Sequence, residues 1–449
     1  MADLATRIEV QQGRALRPDE IFEITRAREK ALARLLMAWI SAGLAFMLLP
    51  GTFLGVWNLI SITDRRAANS VPPAWIQAHG QAQIFGWIGS FILGIGFYSI
   101  PKLRRAARPF ALWSGWLCWA LWTAAVGLRW GANVYLWHWR ALLPATAAME
   151  VLAFLVFLRA VSGHRAKQGG KLDVWIWVVV IASLGFLGDL LLNLAGAIAV
   201  AAKGAGPEFP GAFDQHFLVL STWGFLVPFV WGFSARWLPV FLGLRPVRER
   251  RLLAAGALNT TGVASALAGE MLAAGVLLVL GSAAAIIALR LLEPPQQPAK
   301  TKGVHSSFPL FVRLAYVWLL IAGGLGIWAA TLPEAAGAWG ASRHALTVGF
   351  LAMMVFSIGQ RILPAFSGMR LLFSTRLMFA ALALLALGCT LRVSCEALAY
   401  QGFAGWAWSL LPVSAVIELS AVTAFAMNLA ATFIRPPKVA AGTPVVGSW

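Results

Sequence analysis

The sequence predicts an all-α polytopic membrane protein with about twelve transmembrane helices in three pseudo-symmetric arcs of four, N-in and C-in. Three observations carry this. Of 449 residues, 59% are hydrophobic and 12% charged, with a mean hydropathy of +0.75; soluble domains have about half apolar and a quarter charged residues. Apolar runs of about 20 residues, the length that crosses a bilayer core, recur along the whole chain. A Gly-to-Pro motif returns three times at one spacing. This composition makes the lipid bilayer the partner and excludes a cytosolic enzyme, a disordered chain, a secreted disulfide scaffold and a nucleic-acid-binding protein. The net charge of +18 lies in short segments between apolar runs, which points to membrane orientation. Cys118, Cys389 and Cys395 form neither CxxC nor CxxCH, so no disulfide framework or covalently attached haem is expected.

The spans read near 34–60, 75–100, 110–128, 141–160, 174–201, 214–241, 252–268, 270–292, 309–332, 342–366, 375–393 and 406–434. No charged loop marks the split inside 252–292. Residues 1–30 form a polar cytoplasmic segment, amphipathic or loose. Residues 31–434 are the transmembrane domain, with repeats at about 31–160, 174–292 and 309–434, and 435–449 are a cytoplasmic tail. Lys and Arg concentrate in alternate loops: Arg26, Arg28, Lys30, Lys102, Arg104, Arg105, Arg108, Arg165, Lys167, Lys171, Arg245, Arg248, Arg250, Arg251, Lys300, Lys302, Arg370 and Lys438 on one side, against Arg65, Arg66, Arg129, Arg140, Lys203, Arg343 and Arg392 on the other. The positive-inside bias places both termini in the cytoplasm, as in a multi-pass protein of a bacterial-type inner membrane. Trp75, Trp130, Trp137, Trp139, Trp339, Trp406 and Trp408 fall at the opposite face, as an interfacial aromatic belt does.

The repeat is read from helices 2, 6 and 10. GWIGSFILGIGFYSIP runs from Gly86 to Pro101, GFLVPFVWGFSARWLP from Gly224 to Pro239 and GFLAMMVFSIGQRILP from Gly349 to Pro364, each fifteen residues from Gly to Pro. Helices 4 and 12 repeat as well. LLPATAAMEVLA (Leu142–Ala153) aligns with LLPVSAVIELSA (Leu410–Ala421), so Glu150 and Glu418 each lie six residues after a proline. Glu270, in AGEMLAA, is a candidate third copy. Arg129 and Arg392 end helices 3 and 11 alike. A self-similar period of this kind marks repeat architecture.

Three of the six histidines, His138, His164 and His305, fall in loops. His79, His216 and His344 precede the repeat glycines by seven, eight and five residues, just inside the apolar runs. Ionisable residues there are rare and mark function by default, and imidazole ligates both haem iron and copper. The plainer reading of each is a hydrogen-bonded residue at the membrane interface. Small residues nearby, such as Gly86, Gly89, Gly224 and Gly349, serve close helix packing or admit a flat macrocycle.

Twelve helices with histidines at the starts of helices 2 and 10 resemble the catalytic subunit of haem–copper oxidases. His79-Gly80-Gln81-Ala82-Gln83-Ile84-Phe85-Gly86-Trp87 is similar to that superfamily's helix-2 haem-ligand segment. The chain also resembles the NnrS family, membrane proteins linked to haem, copper and nitric-oxide tolerance, in His344-Ala345-Leu346-Thr347-Val348-Gly349 followed by Gln360-Arg361. Where the NnrS helix-2 pattern has a second His and a Glu, this chain has Gln81 and Ala82. Helix 7 carries no histidine and His216 is followed by Phe217, so the three-histidine copper site of an oxidase is not expected, nor full oxygen or nitric-oxide reduction by that mechanism. The resemblance implies a non-covalent haem b held by His79 and His344, with copper as an alternative metal and His216 as a further metal or ligand-binding residue. Nitric oxide, a quinol or an electron-donor protein is the implied partner.

Among the other intramembrane polar groups, Asp189 and Asn193 are four apart on helix 5 and share one face. A carboxylate in mid-membrane costs about 2.5–3.5 kcal/mol on insertion scales, so Glu150 and Glu418 should be neutral, paired or facing water. Arg129 and Arg392 are candidate partners for Glu150 and Glu418, or for haem propionates. An ion pair and a proton path through Glu150, Glu418 and Asp189 remain alternatives. So do three functions: haem-dependent nitric-oxide handling or electron transfer, secondary transport, for which repeats and midplane carboxylates are also expected, and haem or copper delivery in oxidase assembly. An absorption spectrum separates the first from the second.

Overall fold

The computed structural model describes residues 17–103, 110–162, 173–332 and 336–436. Their regular structure is helical, and twelve long helical segments account for it: α1 Pro18–Arg65, α2 Pro73–Lys102, α3 Leu112–Tyr135, α4 Trp139–Ser162, α5 Val174–Lys203, α6 Gly211–Leu242, α7 Glu249–Leu267, α8 Met271–Ala288, α9 Phe308–Ala330, α10 Gly337–Phe366, α11 Thr375–Tyr400 and α12 Ala407–Ile434. Ten are long and apolar enough to cross a membrane; α3, rich in tryptophan, and α7, rich in small and hydroxylated residues, are not among them. The chain is a multi-pass membrane protein. α1 has 48 residues, about 72 Å of helix, more than twice what a bilayer core of about 30 Å takes up. The polar segment drawn at 1–30 is thus helical from Pro18 onward, continuous with the first apolar run. The charged loops carrying Arg104, Arg105 and Arg108, and Arg165, Lys167 and Lys171, lie outside the described residues, as do 1–16 and nearly all of the tail at 435–449.

The packing is threefold. In each group of four the first helix packs on the second and the third on the fourth. The joints between groups are α4 on α5, α8 on α9, and α12 back on α1, which closes the ring. α2, α6 and α10 are the inner helices: 72–83% of their most apolar stretch is buried, against 39–50% for the other candidate spans. Aromatic rings fill the space between them. Phe85 stacks on Phe217 and Trp122, Phe186 lies 3.9 Å from Phe225 between ring centres, and Phe356 stacks on Phe425 at the same distance.

The inner helices share a local distortion. Each widens into a π-helical stretch, Ala82–Gly89 in α2, Leu220–Leu226 in α6 and Ala345–Ala352 in α10. Each stretch begins four residues before the repeat glycine, Gly86, Gly224 or Gly349, and follows the histidine of its helix by one to four residues. π stretches are rare and concentrate at functional sites. Two further stretches are Val355–Gly359 in α10 and Met47–Phe53 in α1, the second containing Pro50; a proline inside a helix removes one backbone hydrogen bond and displaces another carbonyl.

The split inside 252–292 falls at residues 268–270, where Gly269 has φ +92°, a conformation that a side chain would strain. Glu270 lies exposed in that turn. It is therefore no third copy of the buried carboxylates, because the turn ends the helix before it.

The orientation read from the charged loops has a direct check. Reporter fusions near residues 248 and 302 should read cytoplasmic, and those near 206, 269 and 338 external. A fusion near 206 that reads cytoplasmic overturns the helix order in the first half.

Candidate functional site

His79 and His344 are held in the same way on different helices. His79, half-buried at the start of α2, has Nδ1 2.8 Å from the carbonyl oxygen of Gly51. That carbonyl belongs to the π stretch of α1, and the preceding one, Pro50, accepts from Trp130 Nε1 at 3.2 Å. The distortion thus turns two successive carbonyls toward side chains. Gly55, one turn on, makes room for the ring: a Cβ there would sit 2.5 Å from His79 Cε1. Gly55→Ala should therefore displace the imidazole while leaving α1 helical, and a loss of any His79-dependent spectrum at unchanged circular dichroism is the expected result.

His344 ends the first part of α10. Its Nδ1 is 3.0 Å from the Gly340 carbonyl oxygen and 2.9 Å from Glu396 Oε2 on α11. Glu396 is also 3.3 Å from Arg392 Nε, one turn earlier on the same helix. In both histidines Nδ1 faces only acceptors, so the ring proton sits on Nδ1. Nε2 then carries a lone pair, with no hydrogen bond to it among the described residues. The two rings, together with Arg392, lie within electrostatic reach of one another. Each inner helix, α2 and α10, thus presents one imidazole lone pair near its start.

His216 stands apart. It is half-buried at the start of α6, and the described contacts of His79 and His344 do not include it. Its neighbour Gln215 accepts from Arg343 of α10. Among the described residues no three His, Cys, Asp or Glu side chains are grouped as a metal site.

A buried polar network adjoins His79. Gln81 Nε2 donates to Glu150 Oε1 at 3.1 Å, Asn193 Nδ2 to Glu150 Oε2 at 2.8 Å, and Arg129 Nη1 to Asn193 Oδ1 at 2.8 Å. Arg129 and Glu150 are thus joined through the Asn193 amide rather than in direct contact. Phe209 lies under the Arg129 guanidinium, 5.1 Å away. Asp189, fully buried, has its oxygens 2.8 and 2.9 Å from Ser221 Oγ on α6. Asp189 and Asn193 share a face, as their spacing requires, but serve different partners.

The third repeat differs from the expectation. Arg392 pairs with Glu396 and not with Glu418. Glu418 packs its Cγ towards Gly388, and its Oε1 is buried without a hydrogen bond. Glu396 lies one turn after Arg392 on α11 and pairs with it along the helix, whereas Glu418 comes against α11 at Gly388, one turn before Arg392. Glu396 is a residue of this region that the sequence reading passed over; Gln81 and Asn193 it named without these roles. The Arg392–Glu396 spacing of four, which brings side chains together on a helix, was the available signal for the first.

By sequence, residues 296–432 match the model of a family described as a domain of unknown function, DUF8744. No curated protein matches the chain. By structure it is similar to a haem–copper terminal oxidase determined by cryo-EM as a dimer, with a TM-score of 0.58 and 13% identity over 90% of this chain and 84% of that one. The chain therefore has a haem–copper-oxidase-like fold.

Proposed function

We propose that this protein is a haem-binding membrane protein of NnrS type, which holds one non-covalent haem b between His79 and His344 and acts in nitric-oxide handling or membrane redox chemistry. The observation that carries the reading is the matched anchoring of the two imidazoles. Ligating histidines typically give their second ring N–H to a carbonyl or carboxylate, which fixes the tautomer and aims the other nitrogen, and both do so here. The likeness in fold to a haem–copper oxidase supports the same reading.

The surrounding groups suit such a cofactor. Arg129 Nε, Arg343 Nε and Arg392 Nη1 are buried with no hydrogen-bond partner, and free guanidinium donors of this kind match propionate carboxylates. His79 and His344 would hold the haem iron, and the haem would supply one-electron chemistry. The chain's own residues orient the imidazoles and keep lipid and water away. A quinol or an electron-donor protein would provide the electrons. The donors do not fit a three-histidine copper centre, because His216 is not assembled with the other two, and no step is assigned to copper.

The test is the absorption spectrum of the purified protein, produced with ample haem. A Soret band with a sharp α band on reduction is expected. A protein free of any Soret band overturns the reading in favour of a transporter built around the buried carboxylates Glu150 and Asp189.

A further inference from the structure

The two histidines of the pair differ in one respect: what faces Nδ1. For His79 it is the neutral carbonyl of Gly51. For His344 it is a carboxylate as well as a carbonyl, with Glu396 Oε2 at 2.9 Å. We infer that Glu396 is a positioning residue for His344, which fixes its Nδ1–H tautomer and makes it the stronger electron donor of the two imidazoles. The inference rests on the haem reading above.

Several features show that the contact is built. Glu396 is 5% exposed. Arg392 holds the same oxygen from one turn away. Gly340 supplies both the second acceptor for Nδ1 and the space for the carboxylate: a Cβ at 340 would collide with Glu396 Oε1. A buried carboxylate without partners would be expelled or neutralised, whereas this one has the Arg392 guanidinium and the His344 ring both within ion-pair distance.

The chemistry follows from the charge placed beside the ring: the Nδ1–H donates to the Gly340 carbonyl, and Glu396 Oε2 lies 2.9 Å from Nδ1 as an ion-pair contact. A carboxylate at that place polarises the imidazole and raises electron density at Nε2, so the ligand becomes more basic. A more basic axial ligand favours the oxidised metal and lowers the reduction potential. Glu396 therefore biases the site toward the oxidised state, and Arg392, by sharing the same oxygen, limits that bias. The second carboxylate near His344, Glu418, makes no such contact.

Redox titration followed by absorption tests this, with the near-infrared charge-transfer band of the oxidised protein as a second readout. Glu396→Gln should raise the potential and shift that band, while Glu396→Asp should restore both toward the parent values. Arg392→Gln should move the potential the other way, downward. A haem-loaded Glu396→Gln protein with the parent's potential and band overturns the inference and leaves the haem reading standing. If Glu396→Gln does not accumulate in the membrane, Arg392→Gln decides: a lower potential supports the role, an unchanged or higher one overturns it. A parent protein without any Soret band overturns the haem reading itself.

Discussion

His79→Ala and His344→Ala should each remove the six-coordinate low-spin spectrum, converting it to a five-coordinate form or abolishing haem retention. Either substitution would remove one of the two residues proposed to hold the iron. His216→Ala should leave the low-spin bands in place, because His216 is not assembled with the pair. The effect is all-or-none for the first two variants and small for the third. Absorption spectra of the three purified variants check it. Loss of the spectrum in His216→Ala alone would show that haem binds but that the ligands are assigned wrongly.

Glu150→Gln should lower thermal stability and expression while leaving any haem spectrum intact. Glu150 accepts from Gln81 and Asn193, and Asn193 accepts from Arg129. A glutamine offers one oxygen and one amide where two oxygens meet two donors, and it leaves the buried Arg129 with Asp214 as its remaining nearby carboxylate. Removing one partner of a buried charged pair costs about 3–5 kcal/mol. Thermal denaturation in detergent, followed alongside absorption, separates this from a cofactor role: a changed spectrum at unchanged stability contradicts the structural assignment.

Much of the fold is legible in the sequence because membrane physics writes it in long runs. Twelve apolar stretches map onto α1–α12, and the turn at Gly269 lies where 252–292 was divided. The constant Gly-to-Pro spacing marks the three inner helices, whose π stretches begin at one offset from the repeat glycine. What periodicity does not encode is lateral contact. Arg392 and Glu418 align with Arg129 and Glu150 in the repeat, yet neither pair touches directly: Asn193 intervenes in the first repeat and Glu396 takes the partner in the third. The repeat also relates His344 to Gln81, each five residues before its glycine, and not to His79. The two histidines are held by different neighbours, His79 by a carbonyl of α1 and His344 beside a carboxylate of α11, and no single helix pattern reports that.

Central to the proposed function is that His79 and His344 would together hold one haem. An electron paramagnetic resonance spectrum of the oxidised, purified protein in frozen solution tests it most directly. The account predicts a low-spin ferric signal of the type given by two imidazole ligands. A high-spin ferric signal as the main species, or a copper signal in place of iron, contradicts it.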